Sequence, residues 1–147
     1  MMKKFSSLSL CFLLALASVA AQARPLLRAE QRDAGFTGNI PDCSDPGVLG
    51  TISARFQQKE SEYWHSDLEI ASYDRFHQSG FRSNGSEYIP RRYCTARVQL
   101  NNHRYHHVTY WIAEDLGILG YTYGVGWCVS GLDRDLAYAP NCKAARH

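Results

Sequence analysis

Arg92-Tyr93-Cys94-Thr95-Ala96-Arg97-Val98-Gln99-Leu100 is the stretch whose reading decides the fold. From Cys94 onward its even positions, Cys94, Ala96, Val98 and Leu100, are apolar, while Tyr93, Thr95, Arg97 and Gln99 carry polar groups. A period of two is the pattern of a strand with one face in the core and the other in solvent. Asn101-Asn102-His103 then supplies turn residues. A three-residue loop there pairs Val98 with His106, Ala96 with Val108 and Cys94 with Tyr110, placing Val108, Tyr110 and Ile112 on the dry face. A two-residue loop would slip the pairing by one and set core residues beside solvent-facing ones, so the pattern selects the longer loop.

Outward toward the C-terminus, Glu114-Asp115-Leu116-Gly117 reads as the next turn. Closed as a four-residue loop, it pairs Ile112 with Leu119, Tyr110 with Tyr121 and Val108 with Tyr123. The opposite face then carries Gly120, Thr122, Gly124, Gly126 and Cys128, with Gly120 facing Trp111. Glycine weakens a strand unless something lies close against it. An aromatic ring, the chain's own tail or a ligand groove would each fill that role.

Toward the N-terminus, Leu68, Ile70 and Phe76 alternate with Glu69, Tyr73, Arg75 and His77, a further strand that places Ser72 and Asp74 on its inner side. An inward Asp74 requires a partner, for which Arg91, Arg92 and Arg134 are candidates. Residues 78–89 read as a loop containing the glycosylation sequon Asn84-Gly85-Ser86. Asp45-Pro46 predicts a helix start, the carboxylate accepting orphan amides and proline occupying the first turn, where its missing N–H costs nothing. Val48, Leu49, Ile52, Phe56 and then Lys59 or Glu60 follow at spacings of three and four, giving one amphipathic helix that ends near Tyr63.

Lys3 and Lys4 precede an apolar run from Leu8 to Ala21, and Ala21-Gln22-Ala23 is a small-x-small cleavage site. The expectation is a signal peptide over 1–23, a mobile leader over 24–39 and a single domain over 40–147. The run is too short to span a bilayer and no second one follows, so no membrane span is expected. Cleavage would remove two of the 16 basic residues and leave them matched to the 14 acidic ones. A nucleic-acid partner would usually leave a basic excess, so none is expected. The mature chain is one small domain with limited core. Its location is expected to be periplasmic or extracellular.

Cys11 leaves with the signal peptide, and the remaining cysteines, Cys43, Cys94, Cys128 and Cys142, suggest two disulfides in an oxidising compartment. Three pairings are possible. Cys94 and Cys128 lie on opposite faces of strands two places apart, beyond bonding distance. If the strand at Leu68 runs antiparallel to the one at Tyr93, the preceding helix begins beside Cys94, which favours Cys43–Cys94. Cys128–Cys142 would then clasp the tail to the outer, glycine-bearing face. The predicted architecture is α+β, one N-terminal helix on a four-stranded antiparallel sheet, cystatin-like in outline.

Cys43-Ser44-Asp45-Pro46 with Val48-Leu49, Ile89-Pro90-Arg91-Arg92-Tyr93-Cys94, and Cys128-Val129-Ser130-Gly131-Leu132-Asp133-Arg134 with Cys142 together resemble a family of small exported bacterial proteins of unknown function. The resemblance covers roughly Cys43 to Arg146 and transfers no catalytic residue. Relatives resemble this chain at the first hairpin but tend to have glycine where His103 stands, which fits a loop position with positive φ.

His103, His106 and His107 form the densest histidine group, yet His106 and His107 point to opposite faces of a strand, so no metal site is expected. No cofactor is implied. The leading functional expectation is a non-enzymatic binding module, inhibitor-like or host-directed in one variant. It would recognise a protein or envelope component through Tyr93, Arg97 and Trp111. The alternative is a small hydrolase using Asp74 or Asp133 with a nearby histidine. Arg91-Arg92 and Asp133-Arg134 would either bind a carboxylate-bearing partner or pin the tail. Tyr63, Trp64, Tyr93 and Trp111 could form one aromatic patch on the outer face.

Overall fold

The computed structural model describes residues 38–82, 89–114 and 122–146. Asp45 caps the helix as its sequence requires, its Oδ1 accepting the Val48 amide at 3.0 Å. Helix α1 (Pro46–Trp64) closes at His65, which adopts left-handed φ of 47° and donates its amide to the Glu60 carbonyl. Strands β1 (Ile70–Arg82), β2 (Arg91–Leu100), β3 (Tyr105–Ala113) and β4 (Gly124–Val129) form one antiparallel sheet in the order β1-β2-β3-β4.

The fold is α+β, with α1 packed on one face of the sheet. Val48, Ile52 and Phe56 are the buried stripe of α1, and they join Ala96, Val98, Leu100, Val108, Tyr110, Ile112, Val125 and Val129 of the inner sheet face in one core. Burying such a set is the main favourable contribution to the fold. Trp127 meets Phe56 edge-on with ring centroids 6.0 Å apart.

The β2–β3 register agrees with the sequence reading: Val98 pairs with His106, Ala96 with Val108 and Cys94 with Tyr110. His103 takes φ of 63°, the left-handed position that a three-residue loop demands at its end. Both disulfides also form as expected, Cys43–Cys94 with a Cα separation of 5.7 Å and Cys128–Cys142 with 5.6 Å.

Two parts of the sheet differ from the sequence reading. The β3–β4 connection is longer than four residues, so Val108 pairs with Val129 instead of Tyr123, Tyr110 with Trp127 instead of Tyr121, and Ile112 with Val125 instead of Leu119. The offset is an even number of residues and therefore keeps every side chain on its expected face. Leu119, Gly120 and Tyr121 lie outside the described residues, as do the sequon and the region assigned to a signal peptide.

The second difference is in β1, which extends to Arg82 through much of the expected loop. Ile70 pairs with Leu100 but Ser72 with Gln99, so Ala71 is an extra residue that reverses the faces beyond it. Tyr73 turns inward opposite Val98, and Asp74 turns outward opposite Arg97. The Tyr73 hydroxyl lies 2.9 Å from Ser53 Oγ and donates to the Leu49 carbonyl, while burial raises its pKa to about 12. Phe76, expected inward, is 38% exposed beside the irregularity at Arg75, whose φ is 53°.

After β4 the chain straddles the end of the sheet. Leu132 packs against the inner core, Arg134 reaches the buried Glu60, and Asp135 pairs with Lys59 at 2.9 Å. The segment then passes to the outer face, where Cys142 is bonded to Cys128 and Ala145 is fully buried with them.

Candidate functional site

The outer sheet face is built by the odd positions of β2 and β3, which the alternation directs away from the helix. Its rows follow from the register. Asp74, Arg97 and His107 form one row, His77, Thr95, Thr109 and Cys128 a second, and Gly80, Tyr93, Trp111 and Gly126 a third. At the end of the sheet Arg82 stands opposite Arg91, which in turn faces Ala113 and Gly124. The tail covers the second row on the β4 side, where Thr109 is 3% exposed.

The three residues singled out from sequence all lie on this face in different states. Trp111 lies flat on Gly126: a Cβ built there would sit 2.3 Å from the indole Cε2. This is the close approach anticipated for a strand glycine, supplied by the chain's own ring at Gly126 and by the tail at Cys128. Tyr93 is 8% exposed, between Gly80 and Trp111. Arg97 is held by Asp74 in a two-pronged ion pair, its Nε donating at 2.7 Å, and its guanidinium stacks 4.6 Å from the Tyr105 ring centroid.

That pairing settles where Asp74 sits and which arginine serves it. The partner is Arg97 on the adjacent strand and not Arg91, Arg92 or Arg134, because the bulge at Ala71 rotated Asp74 outward. Hydrogen bonds from Arg97, helped by the positive charges of Arg97 and Arg75, hold the Asp74 pKa below its usual 3.8. The other carboxylate of the hydrolase reading, Asp133, accepts the Tyr138 amide at 2.8 Å and closes a turn.

The expected charge clusters divide by use. Arg92 contacts Gln78, the Ile40 carbonyl and, at 3.7 Å, Asp42. Arg134 lies 3.1 Å from Glu60 Oε2, near enough for an ion pair though poorly aligned for a hydrogen bond, and stacks on Trp64. These contacts pin the tail and the N-terminal approach. The guanidinium of Arg91 lies 5.4 Å from the Trp111 centroid and that of Arg92 5.3 Å from the Phe81 centroid, and the Nε of each is buried without a hydrogen-bond partner.

The aromatic residues do not form one patch. Tyr93 and Trp111 belong to the outer face, whereas Tyr63 and Trp64 lie at the end of α1 on the helix side. There, with Arg55, Lys59, Trp127 and Asp135, they line an open groove of about 570 Å³. His106 Nδ1 lies 2.9 Å from the Ser130 carbonyl, while His107 points to the other face and His103 tops the hairpin. Among the described residues no group of three His, Cys, Asp or Glu side chains is placed to hold a metal ion.

Tyr105 is a member of the face that sequence reasoning does not single out, although parity places it there, an even number of residues from Trp111. Comparison with known protein families, with curated proteins and with solved structures gave no match for this chain.

Proposed function

We propose that the protein is a disulfide-stapled, non-enzymatic binding module that recognises a protein or envelope component through its outer sheet face. Trp111 is the central anchor, with Tyr93, Arg97 and Tyr105 around it. One observation carries this reading. The large aromatic and cationic side chains of the face are immobilised within the chain itself, Trp111 against Gly126 and Arg97 between Asp74 and Tyr105. Contact groups ordered before encounter lose little rotamer entropy on binding, and aromatic residues and arginine are the usual energetic anchors of interfaces.

An exported location fits this reading. The two disulfides, and the lack of any helix among the described residues long and apolar enough to cross a membrane, are compatible with a periplasmic or extracellular site. The hydrolase reading gains less support, because Asp74 is already committed to Arg97 and held ionised in a pair.

The test is capture from envelope extract by matrix-bound oxidised protein, with Trp111→Ala and Asp74→Asn alongside. Loss of a specific partner with Trp111→Ala, at an unchanged oxidised fold, is the expected result. Turnover of a hydrolysable substrate that disappears in Asp74→Asn would replace the binding reading with the enzymatic one.

A further inference from the structure

Tyr63 and Leu136 are the most exposed large apolar side chains among the described residues, at 71% and 70%. They flank one place. Tyr63 lines the open groove of about 570 Å³ with Trp64 and Trp127, and so does Asp135, the residue next to Leu136. Apolar side chains gathered in this way mark an interaction site, whereas single exposed ones need no explanation.

The loop that carries Leu136 is built to present it. Leu136-Ala137-Tyr138-Ala139-Pro140 contains no charged residue, and every member except Tyr138 is exposed. Tyr138 is the anchor, packed on the Cys128–Cys142 pair with its amide donated to Asp133 Oδ2. The Leu136 amide donates to the Asp133 carbonyl at 3.1 Å, and the ion pair with Lys59 fixes Asp135 just before it. Within this turn Leu136 takes φ of 55°, a left-handed conformation that glycine adopts freely and a residue with a Cβ does not. Strain at a side chain that the fold leaves exposed is a cue to function rather than to stability.

We propose that Leu136 and the Tyr63–Trp64–Trp127 groove are the two halves of a two-fold interface between copies of this chain, Leu136 of each copy entering the groove of the other. Knob and hollow lie side by side, the arrangement an isologous contact requires, since each copy gives and receives the same contact. Charge fits the same occupant. The rim holds Arg55 and Lys59 with Glu62 and Asp135, a balanced set that a two-fold axis can place opposite its own counter-charges. Asp133 and Asp135 before the loop and Lys143 after it are not the cationic surround that would draw it to an anionic lipid surface. The groove is on the helix side, so the interface is independent of the outer-face reading above.

Sedimentation equilibrium of the oxidised protein should show monomer and dimer and no larger species. Leu136→Gly frees the backbone and removes the knob. It should weaken dimerisation by about a hundredfold, the loss counting twice across the axis, while the melting temperature of the dilute protein holds or rises. Tyr63→Ser should weaken dimerisation from the groove side. Mixing the two variants leaves one intact contact, Leu136 of the Tyr63→Ser copy in the groove of the Leu136→Gly copy, and should give a heterodimer tighter than either variant's own dimer. A monomer at all concentrations up to about 1 mM, growth beyond the dimer, undiminished association in Leu136→Gly, or no gain on mixing would overturn the proposal. So would binding to vesicles of phosphatidylglycerol and phosphatidylethanolamine by a protein that stays monomeric, lost in Leu136→Gly, which would assign the loop to a lipid surface instead.

Discussion

Gly126 shows how one position sets the outer face. The Trp111 ring occupies the space a side chain would take, so Gly126→Ala must displace the indole or open the β3–β4 pair. The expected cost is about 1–3 kcal/mol by urea denaturation. Most of it should return in the double variant with Trp111→Ala, because the two residues share one space. Asp74 gives a second test at the same scale. Arg97 depresses its folded pKa below the usual 3.8, so its contribution is present above the unfolded value and is lost as pH falls through the lower folded one. The melting temperature of Asp74→Asn should therefore lie below that of the parent by a constant margin near neutrality. The gap should narrow only in acid, beginning near pH 3.8 and closing below it. A gap independent of pH would mean that the pair contributes through packing instead of charge.

At the scale of elements, the legible parts were those whose local signals agreed. The β2–β3 hairpin was readable because alternation and turn residues selected the same register, and α1 because its cap and its apolar stripe selected the same bounds. β1 was misread beyond Ile70 because a bulge carries no composition signal: Ala71 fits a regular strand as well as an extra position. The β3–β4 loop was misjudged for a different reason. Leu119 to Tyr123 alternates as convincingly as Gly124 to Val129, and both choices place large residues inward, so periodicity cannot choose between them. The tail is the element best suited to a prediction. Replacing Cys128 and Cys142 together by serine removes a crosslink across a separation of 14 residues. The loop-entropy relation puts the loss at about 3 kcal/mol. Limited proteolysis should then cut within 131–146 while the helix and the remaining strands stay protected; an uncut tail would show that Arg134 and Asp135 suffice to hold it.

For the molecule as a whole, the site was less legible than the fold. Alternation correctly assigned Tyr93, Arg97 and Trp111 to the outer face, yet it could not show which of them the chain had already committed. Arg97 is occupied because Asp74, on the preceding strand, was rotated toward it by the bulge, and no local pattern reports such a rotation. Arg91 stood in a dense charged cluster, but only the paired register shows that its neighbour Arg92 takes the contacts with Asp42, Gln78 and Ile40. Burial, pairing and residual charge are properties of the assembled molecule.

The segment wrapped around the end of β4 has one more effect. A sheet with two open margins can add strands on both sides and grow without limit, as fibrils do. Here Arg55 takes the Val125 carbonyl at 2.9 Å and the C-terminal wrap closes off the end of that strand. With that carbonyl and that end occupied, β4 offers fewer free backbone groups for strand addition than a bare edge strand would.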